Sequence, residues 1–246
     1  MSDLLNIVAP FFSTARDYSQ VLKRLAAAVF WEVYFVTFYL RDIPQVDERF
    51  KTVETYGSLG KLISAIPNSD SLNISGFVIA LFIARFCYEI QLHDRISDLL
   101  GIRRRFDVEE ILLPLTELIT LKLSPAQVEA LRHNRHRVMS EVFYKYTSSR
   151  LDTPIVDKHL IEHALSAWSS YWMSIEGIIV CLVMAVVAYI FNALQLTAAL
   201  MIAVILIYSI SCLQFSRLKH HARAQIQAIA SDPTASAAIR IRFNAL

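Results

Sequence analysis

The chain has 246 residues and a mass of 28.0 kDa, with 55% hydrophobic residues, 19% charged residues and a mean hydropathy of +0.42. That composition, with a formal net charge of +2, excludes a disordered chain, a coiled-coil rod and a strongly basic nucleic-acid-binding domain as first readings. Five glycines and seven prolines leave little material for hairpins and tight turns, so the expected fold is an all-α membrane protein.

The chain begins Met1-Ser2-Asp3 and carries no basic residue before Arg16, so it lacks the positive n-region of a secretory signal. The N-terminal part is therefore expected in the cytoplasm. Leu25–Leu40 is apolar but interrupted by Glu32, and Phe77–Phe86 runs on through Arg85 toward Glu89. Stretches of 10 to 16 residues are typical of buried helices, and the preferred reading of both is a soluble helix. The alternative is a four-span bundle in which Glu32 pairs with Arg85. Asn68-Ser69-Asp70-Ser71 reads as a loop. Arg103-Arg104-Arg105 opens a basic cluster continued by Arg132, Arg135 and Arg137, a candidate contact for lipid, RNA or an acidic protein.

Between these basic runs, Ser124-Pro125-Ala126-Gln127 carries a helix start. Ser serves as N-cap, Pro takes the first helical position, and Gln returns the capping bond; the helix should run through Tyr146. Arg150–Pro154 reads as the break before a last long helix. On that helix His159-Leu160-Ile161-Glu162-His163 fits H-x-x-E-H, which would put two zinc-ligating imidazoles on one face with Glu162 activating water. No third ligand is evident, so neither an enzyme nor a cofactor is expected; a zinc site at His159 and His163 is the alternative. Arg132 to His136 does not meet the spacing of the Arg-His signature of HEPN ribonucleases.

Positions 177 to 216 contain no Asp, Glu, Lys, Arg or His, a run of 40 residues. As one helix it would extend about 60 Å, twice the ~30 Å hydrocarbon core, so it reads as two spans, near Ser174–Ala193 and Leu196–Phe215, with a turn at Phe191–Gln195. Trp168, Tyr171 and Trp172 precede it as an interfacial belt. Arg217, Lys219 and Arg223 follow it, and the positive-inside rule puts both hairpin ends, and both termini, in the cytoplasm. Ser231–Ala238 reads as a flexible tail. Ser170, Ser174, Gly177, Cys181, Ala185, Ala188 and Asn192 recur at spacings of 4 and 3, a stripe of small residues suited to close helix approach. It would pack within the hairpin, or meet copies of itself to seal an oligomer or line a pore. The three cysteines, Cys87, Cys181 and Cys212, have no metal-binding or disulfide spacing.

The expected organisation is a cytoplasmic helical domain over 1–169, a transmembrane helical hairpin over 170–216 and a basic cytoplasmic tail over 217–246. In architecture this resembles the small two-transmembrane effectors of bacterial antiphage systems, a resemblance that covers mainly residues 170–216. It implies a protein of the bacterial inner membrane that self-associates through its hairpin and permeabilises or depolarises the bilayer when a cytoplasmic protein or nucleic-acid trigger reaches the helical domain. Arg103, Arg104, Arg105, Arg132, Arg135, Arg137, Arg217, Lys219 and Arg223 would then meet partner or lipid. The rival readings are a membrane-anchored zinc hydrolase and a membrane-anchored scaffold.

Overall fold

The computed structural model describes residues 15–41, 43–56, 74–148 and 155–246, and all regular structure among them is helical. The helices are α1 (Tyr18–Leu40), α2 (Pro44–Tyr56), α3 (Ile74–Glu89), α4 (Leu92–Leu100), α5 (Ile102–Arg105), α6 (Leu113–Leu118), α7 (Pro125–His133), α8 (Arg135–Met139), α9 (Lys145–Thr147), α10 (Lys158–Ile190), α11 (Leu194–Ser231) and α12 (Pro233–Asn244). Two wider π-helical stretches, Phe106–Leu112 and Ser140–Tyr144, join α5 to α6 and α8 to α9. The expected loop at Asn68–Ser71 and the break at Arg150–Pro154 lie outside the described residues.

No glycine or proline falls between Ile178 and Asp232, so nothing local breaks α10 or α11 except the turn between them. That turn is shorter than expected, Phe191-Asn192-Ala193. Asn192 takes a left-handed φ of 57°, and the amides of Asn192 and Ala193 donate to the carbonyls of Tyr189 (2.9 Å) and Ala188 (2.9 Å). This pair of bonds is the Schellman termination, and asparagine is one of the few residues that tolerates its left-handed position. Both helices are long and apolar enough to cross a membrane. At 1.5 Å per residue they measure about 50 and 57 Å, longer than the hydrocarbon core alone requires.

The chain divides into two compact units. The first holds the described residues of Leu22–Leu92 with Tyr171–Cys212; the second holds those of Thr14–Val21, His93–Ser170 and Leu213–Leu246. In the first unit α1, α3 and α10 pack through Val29, Phe30, Val33, Ala80, Ala84 and Val180, and a second cluster joins Val36 and Leu40 to Ala185, Ala188 and Leu200. Small residues of α3 and α10 thus let α1 approach closely. Large apolar side chains of this unit turn outward, among them Phe35, Phe38, Phe86, Val186, Ile205 and, at 73% exposure, Phe82.

The second unit has an apolar core of Leu112, Leu115, Leu131, Val138, Val142, Ile226, Ile229, Ile239 and Phe243. Residues 233–244 are not a flexible tail. The Asp232 carboxylate accepts the Ala235 amide at 2.7 Å, Pro233 takes the first turn, and α12 buries Ala235, Ile239 and Phe243. The capping box at Ser124 is formed, with Gln127 N donating to Ser124 Oγ at 3.3 Å and Ser124 N to Gln127 Oε1 at 3.0 Å. The helix it opens ends at His133, where Asn134 caps the Ala130 carbonyl with its own side chain at 3.0 Å. Helical structure then resumes as far as Thr147.

Candidate functional site

Inside the first unit, α1 carries Glu32 on the face that packs against α10. The Glu32 carboxylate lies so close to Gly177 that a Cβ there would stand 2.8 Å from Glu32 Oε1. Glycine is therefore the residue that admits the carboxylate to the α10 backbone. Glu176, next to Gly177 on α10, is 3% exposed. Neither Glu32 Oε2 nor Glu176 Oε2 has a hydrogen-bond partner among the described residues. Around Glu32, Val29, Phe30 and Val33 of α1 pack with Ala80 and Ala84 of α3 and Val180 of α10.

Burying a charge in apolar surroundings is costly unless it is neutralised or paired, and a carboxylate inside a membrane span is by default a candidate for a proton or ion pathway. Glu32 does not pair with Arg85, as the four-span alternative required. Arg85 instead bonds Glu89 one turn along its own helix, and both of those side chains are exposed.

Within the small-residue stripe, Gly177, Ala185 and Ala188 are buried against α1 within the single chain. Cys181 packs at the edge of the same cluster, Ser174 is half-buried, and Asn192 is the exposed turn residue. Ser170 is half-buried in the second unit.

The basic residues divide. Arg135 is buried and bonded to Asp107 at 2.9 Å, and Arg103 is held by Asp94 at 2.9 Å. Lys219 meets Glu110 at 2.6 Å, with Arg223 at 3.8 Å from the same carboxylate; Arg132 lies 3.6 Å from Glu129. Arg104, Arg105, Arg137 and Arg217 face outward. Arg135 therefore departs from the expected partner-facing role, because its guanidinium is spent on a buried carboxylate.

The zinc alternative is not supported. His159 is exposed, with Nδ1 3.9 Å from Glu162 Oε2, while His163 stacks on His221 at a ring separation of 6.0 Å. Among the described residues no group of three or more His, Cys, Asp or Glu stands together to hold a metal.

In the second unit, burial pushes the Asp107 carboxyl up to about 6 despite the opposing pull of Arg135. Burial likewise lowers His93, whose Nε2 pairs with the Tyr18 hydroxyl at 2.8 Å. Gly177 was identifiable from the sequence as a close-approach position; its partner Glu32, 145 residues earlier, was not. No curated protein and no solved structure matches the chain. A family model does match residues 17–245, nearly the whole length, and the protein belongs to the YmfE protein family.

Proposed function

We propose that this protein is a membrane effector that depolarises the bilayer it occupies, with Glu32 and Glu176 as the groups that pass a proton through its apolar unit. The observation that carries the reading is the Glu32 carboxylate seated against Gly177 with the buried Glu176 next to it in the chain, each keeping an oxygen that no described residue bonds, between helices that present phenylalanines outward. A carboxylate pair framed by apolar helices can take a proton from one side and release it to the other, and lipid is the solvent that tolerates the outward phenylalanines.

Packing within the unit supports membrane depth for α1. Glu32 meets Gly177, while Val36 and Leu40 meet Ala185 and Ala188, so α1 runs alongside α10 in the same direction. If the uncharged 177–190 segment lies in hydrocarbon, residues 32–40 lie there too. α3, packed on Val29, Phe30 and Val33 through Ala80 and Ala84, follows. Because α1 occupies Gly177, Ala185 and Ala188, the proposed path runs within one chain and does not require copies to assemble. Arg217, Lys219 and Arg223, in the C-terminal part of α11, favour the cytoplasmic side for that end in the bacterial inner membrane that the reading assigns. Arg104, Arg105 and Arg137 are then the exposed cations for an activating partner, and antiphage defence is the setting that the hairpin architecture suggests.

Induced expression in bacteria with a potentiometric dye tests the reading. The intact protein should depolarise the cells, and Glu32→Gln and Glu176→Gln should each reduce the effect at least tenfold at equal membrane abundance. Undiminished depolarisation by both variants contradicts it.

A further inference from the structure

The second unit holds a half-open cavity of about 330 Å³. Its apolar wall is formed by Phe106, Ile111, Ile161, Leu165, Trp168 and Leu218, and Ala164 on α10 and Ala222 on α11 keep it open. Both π-helical stretches contribute to the lining, the first through Phe106, Asp107 and Ile111, the second through Phe143 and Tyr144. Such widened turns recur at ligand sites, where they displace side chains from helical register.

The polar side of the cavity is more specific. Gln225 lines it while being only 5% exposed, and no hydrogen bond reaches its carboxamide from the described residues. An amide with no partner among the described residues is open to a ligand that both donates and accepts. The charged groups beside it are already matched: Arg103 is bonded to Asp94, and Asp107 to Arg135. A charged ligand head would therefore find no unmatched counter-charge, whereas a neutral head that both donates and accepts finds Gln225.

We propose that this cavity binds a small uncharged amphiphile of the fatty-acyl amide class, its amide paired with Gln225 and its chain against Ile161, Leu165, Trp168 and Leu218. At ~30 Å³ per water-sized atom the volume takes about 11 non-hydrogen atoms, the size of an eight- or nine-carbon amide. The site uses none of the residues of the carboxylate pair, so it stands or falls independently of the proton path.

Octanamide bearing a chain-end diazirine, photolysed with the full-length protein in lipid nanodiscs and followed by peptide mass spectrometry, tests this. Labelling is expected on residues 161–168 or 218–225 and should be competed by excess octanamide at a concentration at least tenfold lower than by octanoate. It should fall at least fivefold in Gln225→Leu and disappear in Ala222→Phe, which fills the space. Circular dichroism checks that both variants fold; if Ala222→Phe does not, Gln225→Leu and the competition series decide. Labelling confined to residues 177–212, or unchanged in Gln225→Leu, overturns the site. Equal competition by octanoate overturns the neutral head.

Discussion

In the unit built from α1, α3 and the apolar halves of α10 and α11, Phe82 is 73% exposed and Glu176 is 3% exposed. In the other unit Leu112, Leu115 and Ile229 are fully enclosed while Arg104, Arg105 and Arg137 face outward. The first unit turns phenylalanines of α1 and α3 outward, whereas the second packs leucines and isoleucines into a core while still exposing Leu99 and Ile241. On the proposed reading the two units meet different solvents: a unit in water is held together by removing apolar area from it, whereas in lipid that force vanishes and close backbone approach takes over. The Ala80, Ala84, Ala185 and Ala188 contacts of the first unit and the leucine and isoleucine core of the second are those two solutions.

The largest expected effect lies in the second unit. Arg135→Ala strands Asp107 inside the protein, and breaking a buried pair on one side costs about 3–5 kcal/mol. Replacing both partners, Arg135→Met with Asp107→Leu, should restore most of that stability. Denaturant unfolding followed by intrinsic tryptophan fluorescence measures both, and equal stability of intact protein and Arg135→Ala would show that the pair is not buried as described.

A sharper comparison uses two exposed apolar residues, one from each unit. Phe82→Asp should cost about 2.5–3.5 kcal/mol of membrane insertion, the penalty for a carboxylate in hydrocarbon. Ile241→Asp, at a position 72% exposed on α12, should shift stability by no more than about 0.5 kcal/mol. Carbonate extraction and folded yield read the difference; equal tolerance of both substitutions would remove the distinction between the two solvents.

The smallest effect is one of pH. Burial depresses His93, so its neutral form is favoured on folding, and its contribution is complete above about 6.5 and lost as pH falls through the lower folded value. Asp107 has the opposite sign: with its carboxyl raised from 3.8 to about 6, its contribution is lost as pH rises across that window. Melting temperatures of the intact protein and His93→Gln between pH 7.5 and 5.5 separate the two. The intact protein should lose more stability on acidification than the variant, and parallel curves would mean that His93 is not the buried base described.

Much of this arrangement was legible because its signals are local. Forty uncharged residues can be accommodated by two spans, Asn192 sits where a helix can terminate in the left-handed region, and Ser124-Pro125 with Gln127 specifies a cap within four residues. Ser231–Ala238 reads as a flexible tail because its residues are small and polar, yet Asp232-Pro233 caps a helix there that buries Ala235, Ile239 and Phe243. Which arginine of a basic cluster turns inward depends on a carboxylate 28 residues away in the chain, as Arg135 and Asp107 illustrate. Glu32 interrupts an otherwise apolar stretch and so argued for a soluble helix; only the packing of α1 on Gly177 reveals that it has a place inside the apolar unit.

Proton flux measured with the purified protein tests the central claim most directly. Vesicles loaded with a pH-sensitive dye and holding the intact chain should equilibrate an imposed pH gradient, made electrically permissive with potassium and valinomycin. Vesicles holding Glu176→Gln or Glu32→Gln at the same protein density should retain the gradient at least tenfold longer. Equal leak rates in all three, or none above protein-free vesicles in the intact protein, would contradict a proton path through the carboxylate pair.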